Sequence, residues 1–164
     1  MATPARRSHA ERREEAERRL LDAALEIVAR RGSVRMTLAE VGAAAGYSRG
    51  LAAHRFGSKA GLVHALAGHI GRRFGEQREQ APAAPPGLQA ILANFDFYFS
   101  RKGGAWTATR ALLVMMIESC MEPASALRDR LLQIVEQALH ARRSRSYQAR
   151  SKSMKRCSSR TSSP

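Results

Sequence analysis

Apolar residues recur at helical spacing through most of the chain, and no stretch shows the strict alternation of a strand. The first helical stretch covers residues 11–31, and the apolar positions on one of its sides are Leu20, Leu21, Ala24, Leu25, Ile27 and Val28. Gly32 follows Arg30 and Arg31, which predicts a glycine cap with cations at the negative end of the helix. The pattern therefore indicates an all-α fold that opens with a long helix.

Two short helices and a longer one are predicted next. Thr37 and Glu40 have the spacing of a capping box, in which a hydroxyl and a carboxylate each accept a hydrogen bond from a backbone N–H at a helix start. Gly46 ends the helix that they open, and Ser48 is predicted to cap a second short helix. Ser58 is predicted to cap the longer helix that follows. Two short helices joined by a tight turn at Gly46 are typical of a helix-turn-helix.

Proline separates these helices from the rest of the chain. Residues 81–87 hold three prolines, which lack a backbone N–H and restrict the residue before them, so we expect a boundary there. Residues 105–121 are apolar nearly all round, which predicts a central buried helix, and residues 123–140 carry one apolar face. Residues 88–99 also carry one, which consists of Leu88, Ile91, Leu92, Phe95 and Phe99.

Charge is distributed unevenly along the chain. The net charge is +14, with +6 in residues 1–80, zero in residues 81–140 and +8 in residues 141–164. A basic N-terminal part beside a neutral middle indicates one unit that meets a polyanion and another with a different role. Residues 141–164 contain eight serines, six arginines, two lysines and no acidic residue. They cannot bury enough apolar surface to offset the entropy of ordering, which predicts disorder.

Several classes of protein are excluded by what the sequence lacks. No uncharged apolar stretch is long enough to span a membrane, and the charged N-terminus lacks the apolar segment of a secretory signal. The two cysteines, Cys120 and Cys157, lie far apart, so we expect a reducing cytoplasm, no disulfide and no metal site. Cys120 lies on an apolar helix and is expected to be buried. No nucleophile, zinc-protease or phosphate-loop motif occurs. We therefore expect a cytoplasmic protein that is not an enzyme and needs no cofactor.

A series of positions between residues 21 and 59 resembles the DNA-binding region of the tetracycline-repressor (TetR) family. They are Leu21-Asp22-Ala23-Ala24-Leu25, Gly32, Thr37-Leu38-Ala39-Glu40-Val41, Ala45-Gly46-Tyr47-Ser48-Arg49-Gly50 and His54-Arg55-Phe56-Gly57-Ser58-Lys59. The resemblance is strong over residues 15–70. It implies a homodimer in which an N-terminal three-helix DNA-binding head, with the helix-turn-helix at residues 37–56, precedes a helical body for ligand binding and dimerisation.

The helical body looks incomplete by this resemblance. Proteins that resemble the family usually continue with two more long helices that form the dimer interface, where this chain has its Arg/Ser-rich stretch. We therefore expect a depleted interface, and a truncated or frame-shifted C-terminus is one explanation. The predicted organisation begins with a flexible basic arm (1–10) and a DNA-binding domain with a connecting helix (11–80). A proline-rich break (81–87), a regulatory body (88–140) and a disordered tail (141–164) follow.

The second short helix has the composition of one that enters a DNA major groove. Between residues 48 and 55 it offers small and polar side chains, with Leu51 as the one sizeable apolar residue. By the resemblance, the base-reading positions are Arg49, Gly50 and Leu51, and the phosphate-contact positions are Thr37, Ala53, His54 and Lys59. The predicted DNA-binding set is Thr37, Ser48, Arg49, Gly50, Leu51, Ala53, His54, Arg55 and Lys59. A plain surface role is the alternative for Arg49 and His54, and Arg55 can pair with an acid instead.

Two departures from the family pattern affect this region. Ala52-Ala53 stands where the family commonly has an aliphatic residue and a tyrosine, so the phosphate contact of that tyrosine is absent. Val41-Gly42 stands where Ile-Ala is common, and a glycine inside a helix costs about 1 kcal/mol relative to alanine. The departures change individual contacts and leave the fold of the head unaffected.

Aromatic and methionine residues are concentrated in residues 88–121, which suits a pocket for an apolar or planar molecule, although ordinary core packing is the alternative. The candidate lining residues are Phe95, Tyr98, Phe99, Trp106, Met115 and Met116. The resulting hypothesis is a sequence-specific transcriptional regulator that binds double-stranded operator DNA, as a repressor released by a small apolar effector. The alternatives are a nonspecific nucleic-acid-binding protein and a truncated, impaired regulator.

Overall fold

The computed structural model describes residues 8–81, 85, 87–100, 105–121, 127–137 and 140, and within them every regular element is a helix. The helices are α1 (His9–Arg31), α2 (Leu38–Ala44), α3 (Leu51–Phe56), α4 (Lys59–Gln80), α5 (Leu88–Phe99), α6 (Ala105–Cys120) and α7 (127–137). The predicted all-α fold is confirmed. The disorder predicted for residues 141–164 concerns a segment outside the described residues.

The first helix begins earlier than the sequence indicated. Ser8 accepts a hydrogen bond from the Glu11 backbone N–H at 3.1 Å, and the Glu11 carboxylate accepts one from the Ser8 N–H at 2.7 Å. This reciprocal pair is a complete capping box, so α1 starts at His9. The prediction of a flexible arm over residues 1–10 was therefore wrong for its last residues, and residues 1–7 lie outside the described part of the chain.

Hydroxyl groups cap the starts of α2 and α4. Thr37 accepts a hydrogen bond from the Glu40 N–H at 3.2 Å, as predicted. The Glu40 carboxylate pairs with Arg31 instead of capping in return, so only half of the predicted capping box forms. Ser58 accepts from the Gly61 N–H at 3.0 Å, which confirms the predicted cap of α4. The ion pair between Glu40 and Arg31 instead connects α2 to the end of α1.

One hydrophobic core extends across the proline-rich break. α1 packs against α2, α4 and α6, and α7 contributes further buried side chains. The most deeply buried residues include Leu20, Leu21, Val28, Leu62, Leu66, Ile70, Ala108, Ala111, Met115 and Leu131. Because these residues come from both sides of residues 81–87, the break separates two helices without separating two cores.

α6 is central but is not buried all round. Its fully buried side is formed by Ala108, Ala111 and Met115. The large apolar residues Leu113 and Ile117 on its other side are exposed, and so is Met121, which follows the helix. Cys120, expected to be buried, is exposed as well. The prediction of a helix buried on every side was wrong, because apolar composition does not state how many faces have a neighbour.

The apolar face predicted for α5 is open to solvent. Its members are between 47% and 68% exposed: Leu88, Ile91, Leu92, Phe95 and Phe99. The helix instead packs through Phe97 and Tyr98, whose ring centroids lie 6.3 and 5.2 Å from that of Phe74 on α4. Helical spacing identifies an apolar face but not the element that covers it, and none of the described residues covers this one.

A shared core predicts that damage to the body also unfolds the head. Met115→Ala removes a fully buried side chain, so we expect the free energy of unfolding to fall by about 2–5 kcal/mol. Urea unfolding followed by Trp106 fluorescence and by amide exchange in α2 should show one transition with one midpoint. In the control Met121→Ala, the residue is 82% exposed and stability should change by less than about 0.5 kcal/mol. Two separate transitions would contradict a shared core.

Candidate nucleic-acid interface

A tight turn joins α2 to α3. The Gly46 N–H donates to the Ala43 carbonyl at 3.1 Å, and the Tyr47 N–H donates to the Gly42 carbonyl at 2.9 Å. Gly46 has a φ of 78°, in the left-handed region of backbone conformation that residues other than glycine rarely adopt. Tyr47 and Phe56 are half-buried against the core and hold α3 in place.

Gly42 allows α2 to approach this turn closely. A Cβ atom at position 42 would lie 2.5 Å from the Ser48 carbonyl oxygen and 3.3 Å from the Arg49 Cα. Neither neighbour is a flexible side-chain end, so the turn would have to move. The departure from the family pattern at this position therefore has a structural use: glycine lowers helix propensity but permits a close contact with the segment that carries Arg49.

The start of α3 differs from the prediction. The N-cap residue is Gly50, which makes no side-chain cap, and the Leu51 N–H donates to the Ser48 backbone carbonyl at 3.1 Å. The prediction that the Ser48 hydroxyl caps α3 was wrong, because this backbone hydrogen bond closes the turn. The Ser48 side chain stays exposed.

One side of α3 and of the turn before it is open to solvent. The exposed residues are Ser48, Arg49, Gly50, Ala53 and His54. Ala52 is fully buried and Leu51 is half-buried, which fixes the opposite side of the helix to the core. The exposed side chains are small or polar, and such a surface fits a DNA major groove, which is about 12 Å wide and admits one helix.

Two arginines of this region have different surroundings. The Arg55 guanidinium pairs with the Glu17 carboxylate at 2.8 Å and donates to the Arg13 carbonyl at 3.0 Å, so it fastens α3 to α1. For Arg55 the structure thus shows the acid pairing that was the alternative to a DNA contact. Arg49 is exposed and has no ion-pair partner within the described ranges. Its donors are therefore available to an external group.

Lys59 and Thr37 stand at helix starts. Lys59 is the first residue of α4, and its ammonium donates to the Val34 carbonyl. An ammonium has three N–H donors, so two are left for another acceptor. The Thr37 side chain is exposed, and while its oxygen accepts the cap bond, its O–H can still donate. Both residues retain the capacity to bind a phosphate oxygen.

The candidate ligand-lining residues lie in three different environments. Met115 is completely buried. Tyr98, Trp106 and Met116 are half-buried, and Phe95 and Phe99 are exposed. The Trp106 and Phe99 ring centroids are 5.8 Å apart. The structure therefore brings some of these residues together in pairs and does not arrange all six around one cavity.

A charged cleft between α1 and α4 was not predicted. Its volume is about 510 Å³, and its lining residues are Glu14, Glu17, Arg18, Leu21, Asp22, His69, Arg72, Arg73 and Glu76. Asp22 pairs with His69 at 2.9 Å, with Arg18 at 3.2 Å and with Arg73 at 3.4 Å. His69 and Arg73 are far from Asp22 along the chain, so only the tertiary fold assembles this network. Among the residues that the structure describes, no group of three or more His, Cys, Asp or Glu side chains could hold a metal ion.

Helix length and hydropathy give one further result. Among the helices that the structure describes, none is both long enough and apolar enough to cross a membrane.

Comparisons with known proteins agree with this geometry. A family model described as "Bacterial regulatory proteins, tetR family" matches residues 20–66. The HTH-type transcriptional regulator BetI of Brucella suis biovar 1 is 38% identical over 80 residues, which are 46% of this chain and 40% of that protein. BetI of Brucella anthropi is 39% identical over 64 residues, which are 39% of this chain and 33% of that protein. The chain thus spans less than half of the length of either relative. The family model lies over the N-terminal part that carries the helix-turn-helix.

Residues 20–66 of the chain thus match the tetR family, over the part that holds the helix-turn-helix. A crystal structure of a transcriptional regulator from Rhodococcus sp. assigned to the same family is similar in fold, with a TM-score of 0.69, over 85% of this chain and 73% of that chain at 20% identity. The likeness confirms the predicted fold of a helical head followed by a helical body. The curated relatives are named as transcriptional regulators, which agrees with the prediction that this chain is not an enzyme.

Gly42→Ala should disturb the turn between α2 and α3. The new Cβ meets the Ser48 carbonyl, so we expect the free energy of unfolding to fall by about 1–3 kcal/mol. Gly75→Ala is the matched control, because a Cβ there has nothing within 4 Å and alanine favours a helix by up to about 1 kcal/mol. Thermal unfolding gives both stabilities, and amide exchange at residues 47–51 reports on the turn. Equal stability of the two variants would rule out the close approach at Gly42.

Proposed function

We propose that this chain is a sequence-specific regulator of transcription whose helix-turn-helix binds double-stranded operator DNA. The observation that carries the proposal is Arg49, which is exposed and has no ion-pair partner among the described residues, on a turn whose conformation depends on Gly42 and Gly46. Because the backbone that carries Arg49 is constrained, only side-chain entropy is lost on binding, and arginine is the commonest reader of guanine in the major groove. The names of the matched regulators add support.

The residues of the interface divide between bases and phosphates in this proposal. The leading end of α3 and the turn before it are assigned to base edges, through Ser48, Arg49, Gly50 and Leu51. The residues assigned to phosphates are Thr37, Ala53, His54 and Lys59. Lys59 is well placed for this role, because the backbone N–H groups of the first turn of α4 also favour an anion. Arg55 positions α3, since Glu17 and Arg13 already occupy its guanidinium.

We also propose that the regulator is a repressor in the cytoplasm, where its DNA lies, and that a small apolar effector releases it. The aromatic residues around α5 support the effector, because their rings offer flat apolar surface. Phe97 and Tyr98 stand edge to face with ring centroids 5.0 Å apart, and the Arg78 guanidinium lies over both rings. The half-buried candidates, which an effector can reach without unfolding the core, are Tyr98, Trp106 and Met116.

A homodimer is part of the same proposal. Paired recognition helices contact half-sites about 34 Å apart on DNA, so a regulator of this kind needs two heads at a fixed spacing. We assign the contact to the α5–α6 surface, defined by the exposed residues Leu88, Ile91, Leu92, Phe95, Phe99, Leu113 and Ile117. A second copy fits this surface best, because two apolar faces of the same chain can cover each other and a specific interface buries about 800 Å² per partner.

Arg49→Ala and Lys59→Ala should separate base contact from phosphate contact. Arg49→Ala should weaken operator binding by about 1–3 kcal/mol and relax the preference at one base position. Lys59→Ala should weaken binding to all duplexes alike and reduce the salt slope by about one unit. Titrations of labelled duplexes at several salt concentrations measure both effects.

The control for these variants is Arg110→Ala, which removes the same charge from an exposed position on α6. It should leave the operator preference unchanged. A site-specific regulator prefers its operator by roughly 10³ or more over random DNA. A protein that binds every duplex equally would instead match the nonspecific nucleic-acid binder that the basic composition also allows.

Phe95→Ser should weaken the dimer. Loss of an aromatic anchor costs about 2 kcal/mol per copy and a homodimer loses two, so the dimer dissociation constant should rise roughly 10³-fold. Gln89→Ser is the control, because it changes an exposed polar residue of the same helix. Analytical ultracentrifugation at micromolar concentration gives both constants. If Phe95→Ser dimerises as well as Gln89→Ser, the α5–α6 surface is not the interface.

A further inference from the structure

A dipeptide between α1 and α2 is held from two sides. The Ser33 N–H donates to the Glu118 carboxylate at 3.0 Å, the Val34 N–H does so at 3.5 Å, and the Ser33 hydroxyl donates to the same carboxylate. On the other side, the Val34 carbonyl accepts from the Lys59 ammonium. Glu118 lies in the last turn of α6, and Lys59 opens α4. One short segment therefore connects the body to a residue assigned to a phosphate.

The surroundings of Glu118 are closely fitted. Gly32 has a φ of 85°, and a Cβ atom there would overlap the Glu118 carboxylate. Ser33 is 8% exposed, so its polar groups need partners inside the protein. Hydrogen bonds to an ionised acceptor are about twice as strong as neutral ones. The contact therefore requires a small residue at 32, a hydroxyl at 33 and a carboxylate at 118.

The geometry points to Glu118 as a positioning residue for DNA binding, which fixes the Ser33–Val34 segment and through it the Lys59 ammonium. The carboxylate accepts from the N–H groups of Ser33 and Val34, and the ammonium donates to the Val34 carbonyl, so the two contacts hold the same short stretch of backbone from both sides. A change in the last turn of α6 then changes the placement of Lys59. The inference rests on the proposed DNA binding.

The last turn of α6 also lies close to a proposed effector contact. Met116 precedes Glu118 by two positions, and the Ser119 hydroxyl donates to the Met116 carbonyl at 2.8 Å. A molecule that displaces this turn therefore acts on Glu118 and on the segment that Glu118 holds. Regulation of DNA binding requires such a connection between two distinct sites.

The test is a double-mutant cycle measured as the salt dependence of duplex binding. Each phosphate contact contributes about 0.9 to the slope of log K against log salt concentration. Lys59→Ala and Glu118→Ala should each lower the slope by about one unit, and the double variant should also lower it by about one unit, because both changes remove the same contact. Glu118→Gln keeps one acceptor oxygen and should restore part of the slope.

The matched control is Glu136→Ala, which removes the same negative charge from an exposed position on α7 and should leave the slope unchanged. Amide exchange without DNA gives a second measurement. Exchange at Ser33 and Val34 should accelerate about tenfold or more in Glu118→Ala, and should not change in Glu136→Ala. If Glu118→Ala does not fold, Glu118→Gln and Ser33→Ala provide the same comparison.

Two results would overturn the inference: a Glu118→Ala slope equal to that of Glu136→Ala, or a double variant that loses about two units. Because the slope is measurable on any duplex, it also distinguishes this inference from the proposed function. A chain with no operator preference would refute the sequence-specific regulator, and the slopes of the cycle would still decide the role of Glu118.

Discussion

The burial of α1 is the constraint on which the rest of the structure depends. Leu20, Leu21 and Val28 are almost inaccessible to solvent because α2 and α4 of the head and α6 of the body all pack on this helix. Burial of apolar surface contributes about 25 cal/mol per Å², so separating any of these helices from α1 is unfavourable. Polar contacts of α1 then set the details: Glu17 holds Arg55 of α3, and Asp22 holds His69 of α4. The orientation of α3 therefore follows from the packing and polar contacts of α1.

Within the head, small residues and paired charges determine which side chains face outward. Gly42 and Gly46 permit a turn that no larger residue would tolerate without a shift, and Ala52 brings α3 against the core. Pairing removes Arg55 from the set of available cations and leaves Arg49 accessible. The resulting surface combines a rigid backbone with an unpaired donor, which is the combination that specific recognition favours.

The body has two features that the head alone does not explain. Its α5–α6 surface exposes large apolar side chains, which is typical of a surface that another protein covers. Its Glu118 carboxylate holds the segment between α1 and α2, at the point where Lys59 also binds. Both features lie on α6 or beside it, so this helix is where dimer formation, effector binding and the head would meet.

The sequence by itself determined the helical class, the end of α1 at Gly32, the caps by Thr37 and Ser58 and the order of the helix-turn-helix. These features depend on residues a few positions apart, and helical periodicity and cap chemistry act over that distance. The resemblance added the family and the candidate DNA-binding residues. The start of α1 is also set locally, by the Ser8–Glu11 capping box, which lies beside a densely charged segment.

Only the tertiary structure decided which partner each side chain has. Arg55 meets Glu17, Asp22 meets His69, and Glu118 reaches Ser33 from a position 85 residues away. The same is true of burial: α5 and α6 both have apolar faces, but the neighbouring helices determine that Met115 is enclosed and Phe95 is exposed. A sequence pattern states what a residue can do, whereas contacts between distant segments depend on how whole helices pack, and that packing is a property of the entire chain.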